Sequence, residues 1–320
     1  MLSVILVNWN GASDTIACIE SLLAADRALM RIIVVDNDSP NNSLEVLTRW
    51  AGTCQLDCQV QFGRYLESDT RFLGFEGSFE DSLEQLSPKP FIYIVESGRN
   101  GGFGFGCNIG MLLADRLGTD SYWLLNNDCV VNEKAVVEVA KAVENHPDTV
   151  FGTIVRYFAA PHAVQVYGGG SFSKLTGKNV SAIKAHAKES FDYIYGASMI
   201  FSDRARLAIG NFDEKIFMYY EEMDFCLRAQ AAGFDFDVVT TDVFHKHGGS
   251  QGGVSSAAWA NVLKNKYYVL NKHFGWGFWT LVYFASLFIR CVLPIGGKRA
   301  SIGARAALKA LLSKEVQPCE

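Results

Sequence analysis

Three things are scarce in this chain, and each scarcity removes a class of function. Positive charge is scarce: 29 Lys and Arg against 34 Asp and Glu leave a formal charge of −5, which excludes nucleic acid as a general partner. Clustered cysteine is scarce as well. Of eight cysteines only Cys54 and Cys58 lie close together, and no second pair or histidine cluster completes a zinc pattern. They read as reduced core thiols of a cytoplasmic protein. Repeats and low-complexity tracts are missing, and 49% hydrophobic with 20% charged residues describes a folded chain rather than a disordered one.

The common phosphate and nucleophile signatures are missing too. Read from Gly102, the dinucleotide fingerprint meets Cys107 where its last glycine belongs, and Gly177-Lys178 and Gly297-Lys298 are followed by Asn and Arg, so there is no P-loop. YGASMIF (195–201) lacks the second glycine of a nucleophile elbow. The opening MLSVILVNWN has no basic start and no small-residue cleavage site, and is expected to be a first strand rather than a signal peptide.

What is present is an alternation of apolar strands and helices. Strands are expected at Ser3–Val7, Arg31–Val35, Phe91–Val95 and Tyr122–Leu125, and helices at Asp14–Ala25, Asn42–Trp50, Ile109–Leu117 and Glu133–Asn145. This predicts an α/β fold with a mostly parallel sheet covered on both faces. In such sheets ligands bind beyond the carboxyl ends of the strands. Asn8, Asp36, a glycine-rich loop from Asn100 and Asp128 all fall there. Residues 52–90, polar and aromatic, break the alternation and read as an insertion. Beyond Val150 the chain is loop-rich over 157–190, then strand-like at Tyr193–Phe201, helical at Glu221–Ala232 and strand-like again at Phe234–Val239.

Four stretches carry candidate chemistry. In YWLLNNDCVV (122–131) an apolar strand runs into Asn126, Asn127 and Asp128, either to make a turn or to deliver a carboxylate. RNGGFGFGCNIGM (99–111) can bring backbone N–H groups to a phosphate or serve as a flexible turn. FMYYEEMDFCLRAQAAGF (217–234) sets Glu221, Glu222 and Asp224 in a first helical turn, where they complement the macrodipole and Asp224 can pair with Arg228. The preceding aromatic and Met residues also favour a raised carboxyl pKa, as a general base needs. His245 and His247 alternate on an extended segment and, with a carboxylate, suit a divalent cation.

Taken in order, SVILVNWNG, IIVVDNDSPNNS, NGGFGFGCNIG, YWLLNNDCVV, YGASMIF, the Glu221-Glu222 stretch and HKHGGS resemble a family 2 glycosyltransferase, of a rhamnosyltransferase-like bacterial branch. The resemblance covers roughly 1–50 and 91–275. It implies a GT-A fold over 1–255, with a nucleotide-sugar half to about 130 and an acceptor half from 131; residues 256–320 are expected, from their own apolar and basic composition, to form a helical, membrane-associated segment. It also implies inverting transfer from a nucleotide-diphosphate sugar to a saccharide acceptor with Mg or Mn. Carried over by position, Asp36 contacts the base, Asn8 and the 100–108 loop (Asn100, Gly101, Gly102, Phe103, Asn108) line the donor pocket, and Asn37 and Asn127 also belong to the nucleotide-sugar site. Asp128 holds the metal with His245, preferred to His247 for its spacing to Ser250. Two departures stand out. Asn126-Asn127-Asp128 leaves one carboxylate in the metal motif, and Glu222 stands where the family has an aspartate base, with Asp224 the alternative.

The last stretch is asymmetric in charge. From residue 260 nine Lys/Arg face two Glu, a balance of +7, against −12 for residues 1–259. Within it WGFWTLVYFASLFIRCVLPI (276–295) has close to the ~20 apolar residues of a membrane span but contains Arg290. An interfacial helix or hairpin, a span and a buried core segment all stay open. An interfacial or spanning segment implies a lipid-linked saccharide acceptor at the cytoplasmic face of a membrane, in cell-surface polysaccharide assembly. The rival readings are a nucleotidyltransferase and a catalytically degenerate nucleotide-binding scaffold.

Overall fold

The computed structural model describes residues 1–25, 30–53, 58–68, 70–74, 91–174, 177–185, 191–246, 255–275, 278–293 and 298–313. The first half runs β1 (Leu2–Asn8), α1 (Ala12–Ala24), β2 (Met30–Asp36), α2 (Ser43–Thr53), β3 (Gln59–Leu66), β4 (Arg71–Leu73), β5 (Phe91–Glu96), α3 (Phe103–Arg116), β6 (Ser121–Leu125), β7 (Cys129–Val131) and α4 (Ala135–Asn145). The second runs β8 (Thr149–Tyr157), β9 (Ala160–Tyr167), β10 (Gly169–Phe172), β11 (Asn179–Ser181), β12 (Tyr193–Ile194), β13 (Ser198–Ser202), α5 (Asp203–Ile209), α6 (Glu221–Ala231) and β14 (Asp235–His245). Three helices follow: α7 (Ser256–Phe274), α8 (Phe278–Val292) and α9 (Lys298–Ser313).

An eleven-stranded sheet in the order β4-β3-β5-β2-β1-β6-β13-β8-β14-β7, with β9 on β8, crosses both halves. The run from β3 to β6 is parallel, as continuous apolar strands covered on two faces require. Alternation along each strand divides its side chains between the two faces. Ile5, Val7, Ile33, Val35, Tyr93 and Val95 join one core cluster, and Val4, Leu6, Ile32, Val34, Ile92 and Ile94 the other. Each fully buried side chain of this kind contributes about 1.5–3 kcal/mol.

Several expectations need correction. The glycine-rich stretch is helical from Phe103, because its glycines serve packing. A Cβ on Gly106 would sit 2.7 Å from Val7 Cγ1, and one on Gly110 2.4 Å from Ile5 Cγ2, so α3 presses directly on β1. Residues 52–90 are no simple insertion, since β3 extends the parallel sheet beside β5 and β4 closes its edge; 75–90 lie outside the described residues. The segment 157–190, expected to be loops, holds β9, β10 and β11, the latter two forming a small sheet with β12. Tyr193–Phe201 is two short strands separated by a turn at 195–197, and the strand expected at Phe234–Val239 runs through a bulge to His245. Among the described residues no helix is long and apolar enough to cross a membrane. With 15 residues α8 is ~22 Å long against ~30 Å of hydrocarbon.

Candidate active site

At the carboxyl end of β1, pairing puts Asn8 beside Asp36 of β2, and side-chain hydrogen bonds lock the two together. Asn8 Nδ2 donates to Asp36 Oδ1 at 2.6 Å, and Ser39 donates to Asp36 through its N–H (3.1 Å) and hydroxyl (2.7 Å). Asn8 Oδ1 accepts from Gly11 N–H and from the Thr15 hydroxyl. Asn127 Nδ2 donates to Thr15 Oγ1 at 2.9 Å, tying the turn after β6 into the same cluster. Asp36 is 2% exposed, so its carboxylate is held by built-in donors rather than by bulk water.

Asn37 extends this cluster toward α3. Its Nδ2 donates to Asn100 Oδ1 (3.1 Å) and Gly102 O (3.0 Å), while its buried Oδ1 has no hydrogen-bond partner among the described residues. A polar atom so placed suits a ligand hydroxyl or amide donor. Gly101 packs against Phe105, where a Cβ would lie 2.4 Å from the ring. Gly102 has φ +89°, and a Cβ there would sit 2.0 Å from Phe217 O, so only glycine fits. Phe103 N–H donates to Phe217 O at 3.1 Å. Asn108 is not brought to this cluster. It binds Phe212 through its main-chain N–H and C=O, and Glu214 through its carboxylate.

The second group forms where β7 pairs with the end of β14, setting His245 opposite Cys129. His245 Nε2 lies 3.1 Å from Asp128 Oδ1, and its Nδ1 lies 3.1 Å from Gln165 Oε1 on β9. That amide oxygen can only accept, so Nδ1 carries a proton, and in the neutral imidazole the Nε2 lone pair faces the Asp128 carboxylate. Two electron-pair donors facing each other across 3.1 Å fit a divalent cation, with Gln165 as the outer partner that fixes the ring. The Cys129 Sγ completes a cluster within 4.8 Å, but burial pushes its thiol well up, with the Asp128 charge adding to the rise. With no cation bound it is a neutral thiol, directed at Ala197 O at 3.9 Å. His247 lies outside the described residues.

The third group is the acidic start of α6. Tyr219 (φ 70°) and Tyr220 (φ 75°) are both left-handed, a conformation costing of order 1–3 kcal/mol per residue and borne only where the surroundings enforce it. They turn the chain sharply into Glu221 and Glu222. Burial raises the Glu222 carboxyl above its ordinary value, partly offset by backbone hydrogen bonds at the helix start. Glu221 is raised further, by burial and then by the Glu222 charge, and its Oε2 has no hydrogen-bond partner among the described residues. Asp224 faces elsewhere. Burial would raise it, but hydrogen bonds from His273 and Lys272, with the Arg228 charge, hold it at about 2.

The turn Tyr195-Gly196-Ala197 joins the second and third groups. The Tyr195 ring meets the His245 ring edge-on at 6.4 Å, and its hydroxyl accepts from Gln165 Nε2. A Cβ on Gly196 would touch Glu222 Cβ at 3.5 Å, and Ala197 O accepts the Asn126 N–H. Burial raises the Tyr195 hydroxyl, with Glu222, Cys129 and Asp128 adding to the rise in that order, so Tyr195 senses both acidic groups. Ser39, Thr15, Gln165, Tyr195 and Gly196 are thus parts of the site that motif reading passed over. For Ser39, Tyr195 and Gly196 a signal existed, since all three lie inside quoted motifs; for Gln165 there was none.

Residues 3–81 match the family model described as glycosyl transferase family 2. Over 168 residues the chain is 27% identical to the low-salt glycan biosynthesis hexosyltransferase Agl10 of Haloferax volcanii, covering 50% of this chain and 53% of that protein. The chain thus spans about half the length of the curated relative it matches. Three solved structures are similar. GalNAc-T7 with UDP, GalNAc and Mn2+ gives a TM-score of 0.61 at 11% identity, over 98% of this chain and 56% of that one. The mannosyltransferase PcManGT from Pyrobaculum calidifontis, in complex with GDP-Man and Mn2+, gives 0.52 at 15%, over 98% and 75%. S. aureus TarS gives 0.52 at 13%, over 85% and 40%. At such identities the likeness is one of fold. The expected architecture is the one observed: a GT-A-type α/β fold with a large, mostly parallel central sheet flanked by helices.

Proposed function

We propose that this chain is an inverting, metal-assisted hexosyltransferase that uses a nucleotide-diphosphate sugar. The observation that carries the reading is the turn at 195–197, which touches His245 and the Asp128 loop at one end and Glu222 at the other, beside the Asn8–Asp36 cluster. Asp36, Asn37 and Asn8 are assigned to the nucleoside, and Asn100 to Phe103 with Asn127 to the rest of the donor. Asp128 and His245 are assigned to the cation, with the donor half to about 130 and the acceptor half from 131. A divalent ion bound there supplies charge neutralisation for the departing diphosphate. The mixed oxygen and imidazole set favours Mn over Mg.

Glu222 is the base in this reading, rather than Asp224, whose carboxylate is spent on Arg228, Lys272 and His273 and is too acidic to hold a proton near neutral pH. The acceptor hydroxyl gives its proton to Glu222 as its oxygen bonds to the anomeric carbon. The bond from that carbon to the diphosphate oxygen breaks on the opposite face. Glu221 is buried beside Glu222, with its carboxyl raised further by burial and by the Glu222 charge, and is given no part in the proton transfer.

The finer part of the proposal is a lipid-linked saccharide acceptor at a cytoplasmic membrane face, in cell-surface glycan synthesis, with rhamnose among the donor sugars. One face of α8 supports it. Tyr283 and Leu287 are buried against Leu263, Tyr267, Ala304 and Ala307, while Val282, Ala285, Phe288, Ile289 and Val292 form an exposed apolar stripe at helical spacing. Phe288 is 62% and Val292 64% exposed, and Arg290, Arg305 and Lys309 stand nearby in sequence or on the packed partner helix. A flat-lying helix on anionic lipid has this pattern.

The test is donor consumption by purified protein across UDP-, GDP- and deoxythymidine-diphosphate hexoses, rhamnose included, with and without Mn and with a chelator. One donor is expected to be consumed only with metal, giving a glycoside of inverted anomeric configuration by NMR. If no nucleotide sugar binds by calorimetry, the reading is wrong.

A further inference from the structure

The segment that delivers Glu222 is not self-supporting. Phe217–Tyr220 contains two consecutive left-handed tyrosines, and neither Asn nor Gly stands there to ease the conformation. Three outside groups hold it. Phe103 N–H donates to Phe217 O, and the Tyr220 hydroxyl donates to Gly177 O at 3.1 Å. The third is Asn265 of α7, 1% exposed, whose Nδ2 donates to Met218 O at 2.9 Å and Tyr219 O at 3.2 Å. A single amide so placed bridges the two carbonyls that the left-handed turn aims at α7.

The same helix grips α6 again just past the acids. Lys272 Nζ and His273 Nε2 reach Asp224 Oδ1 at 2.7 and 2.8 Å, and Lys272 with Tyr268 also binds Asp213 Oδ2, both at 2.7 Å. Helix α7 therefore brackets Glu222, with Asn265 before it and the Asp224 cluster behind it. It lies outside residues 3–81 and contributes no side chain assigned above to donor, metal or proton transfer.

We infer that Asn265 is a positioning residue for Glu222: its amide holds the left-handed Met218–Tyr220 turn, and through it the carboxylate, making α7 part of the active site rather than a tether for the C-terminal helices. The inference rests on the proposed transferase reading, and its test is arranged so that the two fail separately.

Asn265→Ala is compared with wild type, Asn265→Gln and Asn265→Ala/Tyr219→Gly in the full chain. Asn265→Ala is expected to lower kcat by 10- to 100-fold with donor KM unchanged. Asn265→Gln is expected to keep an intermediate rate. Adding Tyr219→Gly, which takes positive φ freely, is expected to recover part of the rate, as a mere packing role for Asn265 would not allow. Amide hydrogen exchange supplies a readout that needs no activity: amides of 217–224 exchange at least tenfold faster in Asn265→Ala, and those of β1 and β2 do not. Wild-type kcat in Asn265→Ala, a loss that only tracks the folded fraction, or unchanged exchange at 217–224 overturns the inference. An inactive wild type with the expected exchange pattern instead sinks the transferase reading and leaves the positioning role standing.

Discussion

The Asp224 cluster allows a perturbation whose size follows from the structure. Asp224 is 0% exposed and contacts Arg228 Nε at 3.0 Å, Lys272 Nζ at 2.7 Å and His273 Nε2 at 2.8 Å. These partners lower its carboxyl from 3.8 to about 2 despite burial. At about 1.4 kcal/mol per pH unit, that displacement is roughly 2 kcal/mol of stability at neutral pH. Asp224→Asn forfeits this and leaves Arg228 without its carboxylate partner, while Lys272 keeps Asp213 at 2.7 Å. Because Arg228, Lys272 and His273 keep 23%, 30% and 16% exposure, water relieves part of that penalty. The total is therefore about 2–4 kcal/mol, at or below the low end for a fully buried pair. Thermal melts at pH 7 should show a drop of roughly 4–10 °C.

The sign with pH follows from the depressed carboxyl. Its stabilisation is complete above the unfolded value and disappears as pH falls through the folded one. The wild-type advantage over Asp224→Asn should be constant above about pH 5 and shrink to roughly half by pH 3 in urea titrations. Below its melting temperature the variant should keep kcat within about tenfold, since an amide oxygen still accepts from His273 and Lys272. A variant as stable as wild type, or one that is folded yet inactive, would refute this account and return the base role to Asp224.

Other outcomes follow from the same geometry. Glu222→Gln should lower kcat by about 10²–10⁴ with donor affinity unchanged, and wild-type activity should fall on acidification at a higher pH than an ordinary glutamate would give, because burial raises its carboxyl. Calorimetry of His245→Ala should show loss of Mn binding, and Gln165→Leu, which frees the imidazole ring, a ~10–100-fold weakening. Paired Phe288→Glu and Ile289→Glu changes should abolish sedimentation with phosphatidylglycerol vesicles while leaving transfer to a soluble acceptor intact; vesicle binding by that variant would remove α8 as the membrane face.

Local physics made much of this molecule readable from sequence. Alternating apolar residues and turn chemistry are short-range, so the strands ending at Asn8, Asp36 and Leu125 could be placed, and with them a rim of polar ends. The same short-range reading misjudged the glycines at the start of α3. It treated Gly106 as a loop former, because its need is close approach to Val7, far away in sequence. Residues 157–190 looked like loops since β9 to β11 are edge or small-sheet strands, short and partly exposed, without the apolar run of a covered strand.

By itself, then, the order of residues determined four strands of the parallel run (β1, β2, β5 and β6), the polar strand ends and the acidic start of α6, because each depends on neighbours within a turn or a strand. Tertiary structure alone decided that Asp224 is the acid held by Lys272 and His273, since they lie 48 and 49 residues beyond it. It also decided the His245–Gln165 bond across 80 residues and the Asn265 grip on Tyr219 across 46. Such partners meet only when strand order and helix docking bring distant segments together, and no local pattern encodes that distance.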